Sequence, residues 1–157
     1  MESTPASRSG GPPAPVSPLP AAPAGPWRHA AFAGVVVFLF GEAYDTYWHA
    51  KHVSFVVEPP SALWTIHLGI YLGAAVTVVA GVLLLRRGGL RVAGALLLAG
   101  GGIELAGFFL DMWKHSQGTS LDLYHDLVWY GFGGVVVGMV RLEAMRRGRP
   151  AAAGPLE

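Results

Sequence analysis

Four long apolar segments, at about 29–49, 62–85, 90–112 and 123–141, constrain this 157-residue chain more than anything else in it. Each runs for about 19–24 residues, and about 20 helical residues suffice to cross the hydrocarbon core of a bilayer. A helix on the surface of a soluble domain has to keep one face polar, and these segments do not. Charged residues make up 13% of the chain, about half of the ~25% usual in soluble domains. The expected fold is an all-α membrane protein, a four-transmembrane-helix bundle occupying residues 28–142, with the lipid bilayer as its first partner.

The flanking segments set the expected orientation. Residues 1–27 form a Pro- and Ala-rich tail holding eight of the twelve prolines, too poor in apolar surface to offset its ordering entropy, so it is expected to be disordered. It lacks the charged start and short apolar run of a signal peptide. Residues 143–157 form a second, basic tail. Arg8, Arg28, Arg86, Arg87, Arg91, Arg141, Arg146, Arg147 and Arg149 all fall on one side of the four segments, with only Lys51 and Lys114 opposite. The positive-inside rule then makes both termini cytoplasmic and turns the 50–61 and 114–122 connections outward, as in a multi-pass protein of the bacterial inner membrane.

Histidine and carboxylate gather at the other end. His49, His52, His67, His115 and His125 lie in the outward half, with Glu42, Asp45, Glu58, Glu104, Asp111, Asp122 and Asp126. Their order repeats. The first helix of each pair ends in Asp-x-x-x-His, a connection follows, and a further histidine sits early in the next helix. The first series is Asp45, His49, His67 and the second is Asp111, His115, His125. The chain therefore reads as two helix-pair repeats running in the same direction through the membrane.

Asp and His four apart project from adjacent turns of one helix face. A histidine from the neighbouring helix completes a set of one carboxylate and two imidazoles, which suits copper(II), zinc or iron(II) without choosing among them. The chain has no cysteine, which excludes disulfides and thiolate ligands. His49 and His115 fall at helix C-termini, where the backbone dipole favours a cation. Glu42 lies on the same face as Asp45 and His49 and is a further ligand or a partner to them. His52 reads as a solvated loop residue, and Lys51 and Lys114 as partners of lipid headgroups or nearby acids.

Glu104 stands apart. It precedes His115 by eleven residues, about 16 Å along a helix, which puts it near the middle of the bilayer. An ionisable group there costs about 2.5–3.5 kcal/mol on insertion scales and is usually functional. A deep metal ligand, a proton relay and a protonated acid bonded across helices all remain open for it. Gly69 with Gly73, and Gly134 with Gly138, have the small-xxx-small spacing that lets membrane helices approach closely. The Gly100-Gly101-Gly102 run is expected to bend or thin the third helix.

Asp45-Thr46-Tyr47-Trp48-His49 resembles the Asp-x-x-Trp-His element of the C subunit of particulate methane and ammonia monooxygenases. The likeness covers about 25 residues per copy. By that resemblance Asp45 and His49 are two copper ligands within the membrane, and Trp48 is the element's tryptophan. The family's next histidine follows a proline; here Pro59-Pro60-Ser61 carries none, and His67 takes its place from deeper in the helix. In the second copy Asp111 and His115 keep the spacing, tryptophan shifts to Trp113, and His125 is the third candidate. The resemblance puts copper first among the metals.

The expectation is thus an integral membrane protein holding one or two transition-metal ions near its outer face, in copper handling or as a subunit associated with a redox enzyme or oxidase. A metal-dependent membrane oxidoreductase or hydrolase is the first alternative. A proton-coupled carrier or pH-responsive protein using Glu104 and the histidines is the second. A membrane protein partner or a second copy of the chain fits either; nucleic acid is not expected.

Overall fold

A computed structural model describes residues 25–52, 63–87, 89–119 and 121–147. These form four helices in the order α1 (Gly25–His52), α2 (Leu68–Leu85), α3 (Arg91–Ser116) and α4 (Asp122–Arg147). Helices α2, α3 and α4 are long and apolar enough to cross a membrane. Helix α1 is as long as any, but the polar stretch from Glu42 to His52 dilutes it.

The boundaries move in both directions. Helix α1 begins at Gly25 rather than near residue 29, so the end of the expected tail is helical, and Trp27 packs on the core. Helix α2 starts later than expected: residues 63–67 form a turn that delivers His67 to the helix start. Helix α4 runs on to Arg147, five residues into the expected basic tail. The three-glycine run does not break α3, which continues unbroken from Arg91 to Ser116. Residues 1–24 and the proline-bearing connection at 53–62 lie outside the described residues.

Each helix packs on its sequence neighbours: α1 along α2, α2 along α3, α3 along α4. Glycines set these spacings. A Cβ on Gly41 would sit among the backbone atoms of Gly69 and Ile70, and one on Gly73 would strike the backbone of Gly34 and Phe38. Such contacts bring two helix axes closer than side chains allow, the main source of helix association within lipid. Gly34 and Gly41 are the α1 half of this interface. Gly81 and Gly94 play the same part between α2 and α3, and Gly100 and Gly131 between α3 and α4.

The two hairpins bury corresponding positions. Counting each first helix from its aspartate, Ala31, Gly34, Phe38 and Gly41 of α1 match Leu97, Gly100, Glu104 and Gly107 of α3, all buried. Counting each second helix from its histidine, Ile70, Gly73, Thr77, Ala80 and Leu84 of α2 match Val128, Gly131, Val135, Gly138 and Leu142 of α4, again all buried. Gly73 meets Gly34 and Phe38 just as Gly131 meets Gly100 and Glu104.

The seam between α1 and α4 is of another kind. These helices meet over few positions, through large side chains. Phe38 stacks on Phe132 at 4.8 Å between ring centroids and meets Trp129 edge-on at 6.1 Å. At the arginine end, Arg28 Nη1 donates to Glu143 Oε2 at 3.1 Å, while Arg146 Nη2 donates to Glu143 Oε1 at 2.6 Å.

Two apolar clusters fill the interior. One, toward the arginine end, is built from Ala31, Ala80, Leu84, Leu90, Ala93, Leu97, Val135 and Leu142. The other, containing Phe38, Leu63, Ile70, Phe108, Met112 and Val128, lies toward the histidine end, where Phe108 packs on the His67 ring at 5.7 Å.

Candidate metal centre

Asp45, His49 and His67 converge at the histidine end of the first hairpin. One ligand atom from each lies within 4.8 Å of the others, the one trio of this kind among the described residues. His49 Nε2 is 3.3 Å and His67 Nε2 3.1 Å from the same oxygen, Asp45 Oδ1. All three side chains are largely withdrawn from solvent, with His49 fully buried.

Local structure accounts for each position. Asp45 and His49 are one helical turn apart near the end of α1, so their side chains share a face. His67 stands at the N-cap of α2, and its Nδ1 lies 2.8 Å from the carbonyl oxygen of Leu63. A carbonyl can only accept, so Nδ1 carries the hydrogen and the lone pair of neutral His67 is on Nε2. That lone pair then faces a carboxylate oxygen at 3.1 Å. Two lone pairs at this distance repel unless a cation, proton or metal, sits between them. Asp45 Oδ1 is buried and has no hydrogen-bond partner among the described residues, although buried polar atoms are nearly always satisfied. The donor set, two imidazole nitrogens around one buried carboxylate oxygen, fits a small cation.

The second series comes together more loosely. His115 Nε2 lies 3.6 Å from Asp111 Oδ2, and His125 Nδ1 hydrogen-bonds the same oxygen at 3.4 Å. His125 approaches through Nδ1 where His67 uses Nε2, and its side chain is 61% exposed. The aspartate joins both histidines in each hairpin, but in the second only Asp111 and His115 are withdrawn from solvent.

Just past this site α3 ends in a hydrogen-bonded glycine cap. Gly118 has φ +68°, its N–H bonds the His115 carbonyl at 2.9 Å, and Thr119 N–H reaches the Lys114 carbonyl at 3.1 Å. This is the closing pattern of a Schellman motif, and it stops the helix within a turn of His115. Lys114 lies over the Trp113 ring at 4.8 Å and pairs with no acid among the described residues. His52 caps back on the Trp48 carbonyl at 3.0 Å and stays exposed, outside the cluster.

Glu42 and Glu104 do not join the compact trio. Glu42 is half-buried, one turn before Asp45 on α1. Glu104 is 2% exposed, lies within range of Glu42, and has a buried Oε1 without a hydrogen-bond partner among the described residues.

Sequence reasoning missed the Leu63 carbonyl that orients His67; its signal was the four-residue spacing of a last helical-type turn. Comparison of the chain with protein-family models, with curated proteins and with solved structures returned no match.

Proposed function

We propose that this chain is an integral membrane protein with four membrane-spanning helices that binds a transition-metal ion through Asp45, His49 and His67. The observation that carries the reading is the convergence of one donor atom each from Asp45, His49 and His67 within 4.8 Å of one another, with both imidazoles at Asp45 Oδ1, an oxygen without a hydrogen bond among the described residues. One carboxylate and two imidazoles suit copper(II), zinc and iron(II) alike. The likeness of Asp45–His49 to the Asp-x-x-Trp-His element of the monooxygenase C subunits favours copper.

The matched burial of the two hairpins supports reading them as two copies of one unit, with Asp111, His115 and His125 as the second, more open binding set. Basic residues concentrated at the opposite end support cytoplasmic termini and an outward-facing metal site. In that setting the protein handles copper at the membrane's outer face or serves a redox partner there.

The test is elemental analysis of detergent-purified protein challenged in turn with copper, zinc and iron. About one tightly held ion per chain is expected, lost in His49→Ala and Asp45→Asn, with copper retained best. Near-zero binding of all three metals by the wild type would overturn the reading.

A further inference from the structure

The seam between α1 and α4 is closed at two places. Phe38, Trp129 and Phe132 fill it toward the histidine end, and the bond from Arg28 to Glu143 closes it at the arginine end. Between the two lies a cleft of about 560 Å³, within the ~300–1,000 Å³ of sites that hold small organic ligands. Phe32 of α1 and Val140 of α4 form its walls, and both are exposed, so the cleft opens sideways. Met139 and the buried Leu142 form its floor against the apolar core. Arg28, His29 and Glu143 form its mouth. Phe32 and Met139 lie four residues deeper than Arg28 and Glu143, so the lining passes from charged to apolar over one helical turn, about 6 Å.

The mouth carries more positive charge than the protein neutralises. Three guanidinium groups converge on one carboxylate: Arg28 Nη1 donates to Glu143 Oε2 at 3.1 Å, Arg146 Nη2 to Oε1 at 2.6 Å and Arg147 Nε to Oε1 at 3.3 Å. Among the described residues Glu143 is the one acid in the helix turns at this end. One carboxylate thus answers three cations, and two positive charges are left over. His29 adds a donor. Arg28 Nη2 lies 3.0 Å from His29 Nε2; a guanidinium can only donate, so Nε2 accepts and Nδ1 carries the ring hydrogen. The mouth therefore holds spare guanidinium N–H groups and a neutral imidazole donor, a set that suits an anion with several oxygens.

We infer that this cleft binds one anionic phospholipid, its phosphate at the mouth against Arg28, with Arg146 and Arg147 beside it, and an acyl chain along Phe32, Met139 and Val140. The inference rests on the membrane-spanning reading proposed above and not on the metal site. Guanidinium groups match phosphate oxygens bidentately, and basic pockets between membrane helices hold anionic head groups. A soluble anion would occupy the mouth and leave the apolar walls uncovered. A lipid without net charge would cover the walls and leave the two positive charges unmatched. A phospholipid of net negative charge satisfies both.

Native mass spectrometry of the full-length protein, released from micelles carrying equal amounts of phosphatidylglycerol and phosphatidylcholine, tests this. One phosphatidylglycerol is expected per chain, retained about tenfold over phosphatidylcholine, and Arg28→Gln lowers that retention by about tenfold, the loss of a charge-assisted hydrogen bond. Arg91→Gln, which removes an exposed charge at the same end outside the cleft, leaves it unchanged; an equal loss there marks general surface charge and overturns the site. Glu143→Gln breaks the same α1–α4 bond as Arg28→Gln but leaves the mouth more positive, so it retains the lipid at least as well as the wild type. Loss in both variants means that the seam has merely opened, and overturns the site. A phosphatidylglycerol carrying a diazirine near the start of its acyl chain is expected to label the peptides holding Phe32 and Met139; labelling confined to other helices overturns the placement. Equal retention of both lipids, or adducts of added inorganic phosphate alone, overturns the inference. So does a full-length protein that retains neither lipid, whether residues 1–24 or a second copy fills the cleft. Because the cleft lies at the opposite end from the metal site, a protein that fails to bind copper can still pass.

Discussion

One hydrogen bond decides what His67 offers. With Nδ1 tied to the Leu63 carbonyl, Nε2 is the atom left facing Asp45, so the ring is oriented before any cation arrives. Loss of a group that merely orients a ligand costs about 10–100-fold in metal affinity, so loss of a ligand atom is expected to cost at least that. His67→Ala therefore lowers metal affinity by ~100-fold or more, as measured by competition with a chelator of known affinity. His52→Ala, which removes a bond to the Trp48 carbonyl and a stack on the Trp48 ring, leaves the affinity unchanged. Asp45 and His49 were legible in the sequence because helical spacing alone puts i and i+4 together. The third partner was legible by pattern, but the turn that aims it was not, since side-chain-to-carbonyl bonds depend on a backbone path that spacing does not specify.

At the scale of elements, the glycine contacts and the arginine end make separate predictions. Gly73→Leu drives a side chain into the backbone of α1 and is expected to cost about 1–3 kcal/mol or more, as overpacking does. Gly102, whose absent Cβ would meet nothing within 4 Å, is the control. Gly102→Ala is expected to be neutral or to stabilise by up to about 1 kcal/mol through helix propensity. Denaturation of both variants in mixed micelles separates the two outcomes.

At the arginine end, hydrogen bonds from Arg146, then from Arg147 and Arg28, hold the Glu143 carboxyl down at about 2, against an ordinary value of 4.5. A depressed carboxyl favours the folded state above its ordinary range. That contribution fades as pH falls from 4.5 toward about 2. Wild type is therefore expected to lose stability over this acid window, and Glu143→Gln to show a flatter profile there. Small-xxx-small spacing revealed the α2 and α4 surfaces in advance. It did not reveal Gly34 and Gly41, which are seven apart and are paired only by the crossing they make.

For the molecule as a whole, the separation of charge types is the organising fact. Arginines and Glu143 hold one end, aspartates and histidines the other, and apolar clusters lie between. An accessible reporter fused after the C-terminus is expected to register the cytoplasm, and one inserted in the 114–122 connection the exterior. The reverse result would place the histidine end on the cytoplasmic side. The gathering of aspartate and histidine at one end was legible in the sequence, as was the pairing of Asp45 with His49 and of Asp111 with His115. The inequality of the helix seams was not, because it depends on which side chains fill the space once α4 returns beside α1.

Because every helix rests on the one made just before it, assembly can follow synthesis. Contacts between chain neighbours close short loops and form early. All three donors of the compact trio belong to the first hairpin and the turn that opens α2. A nascent chain halted after Leu85 already owns them, while the apolar cluster that includes Phe38, Leu63 and Ile70 still awaits Phe108, which packs on His67, and Met112 and Val128. The first hairpin thus holds its three candidate donors before the later helices pack beside them.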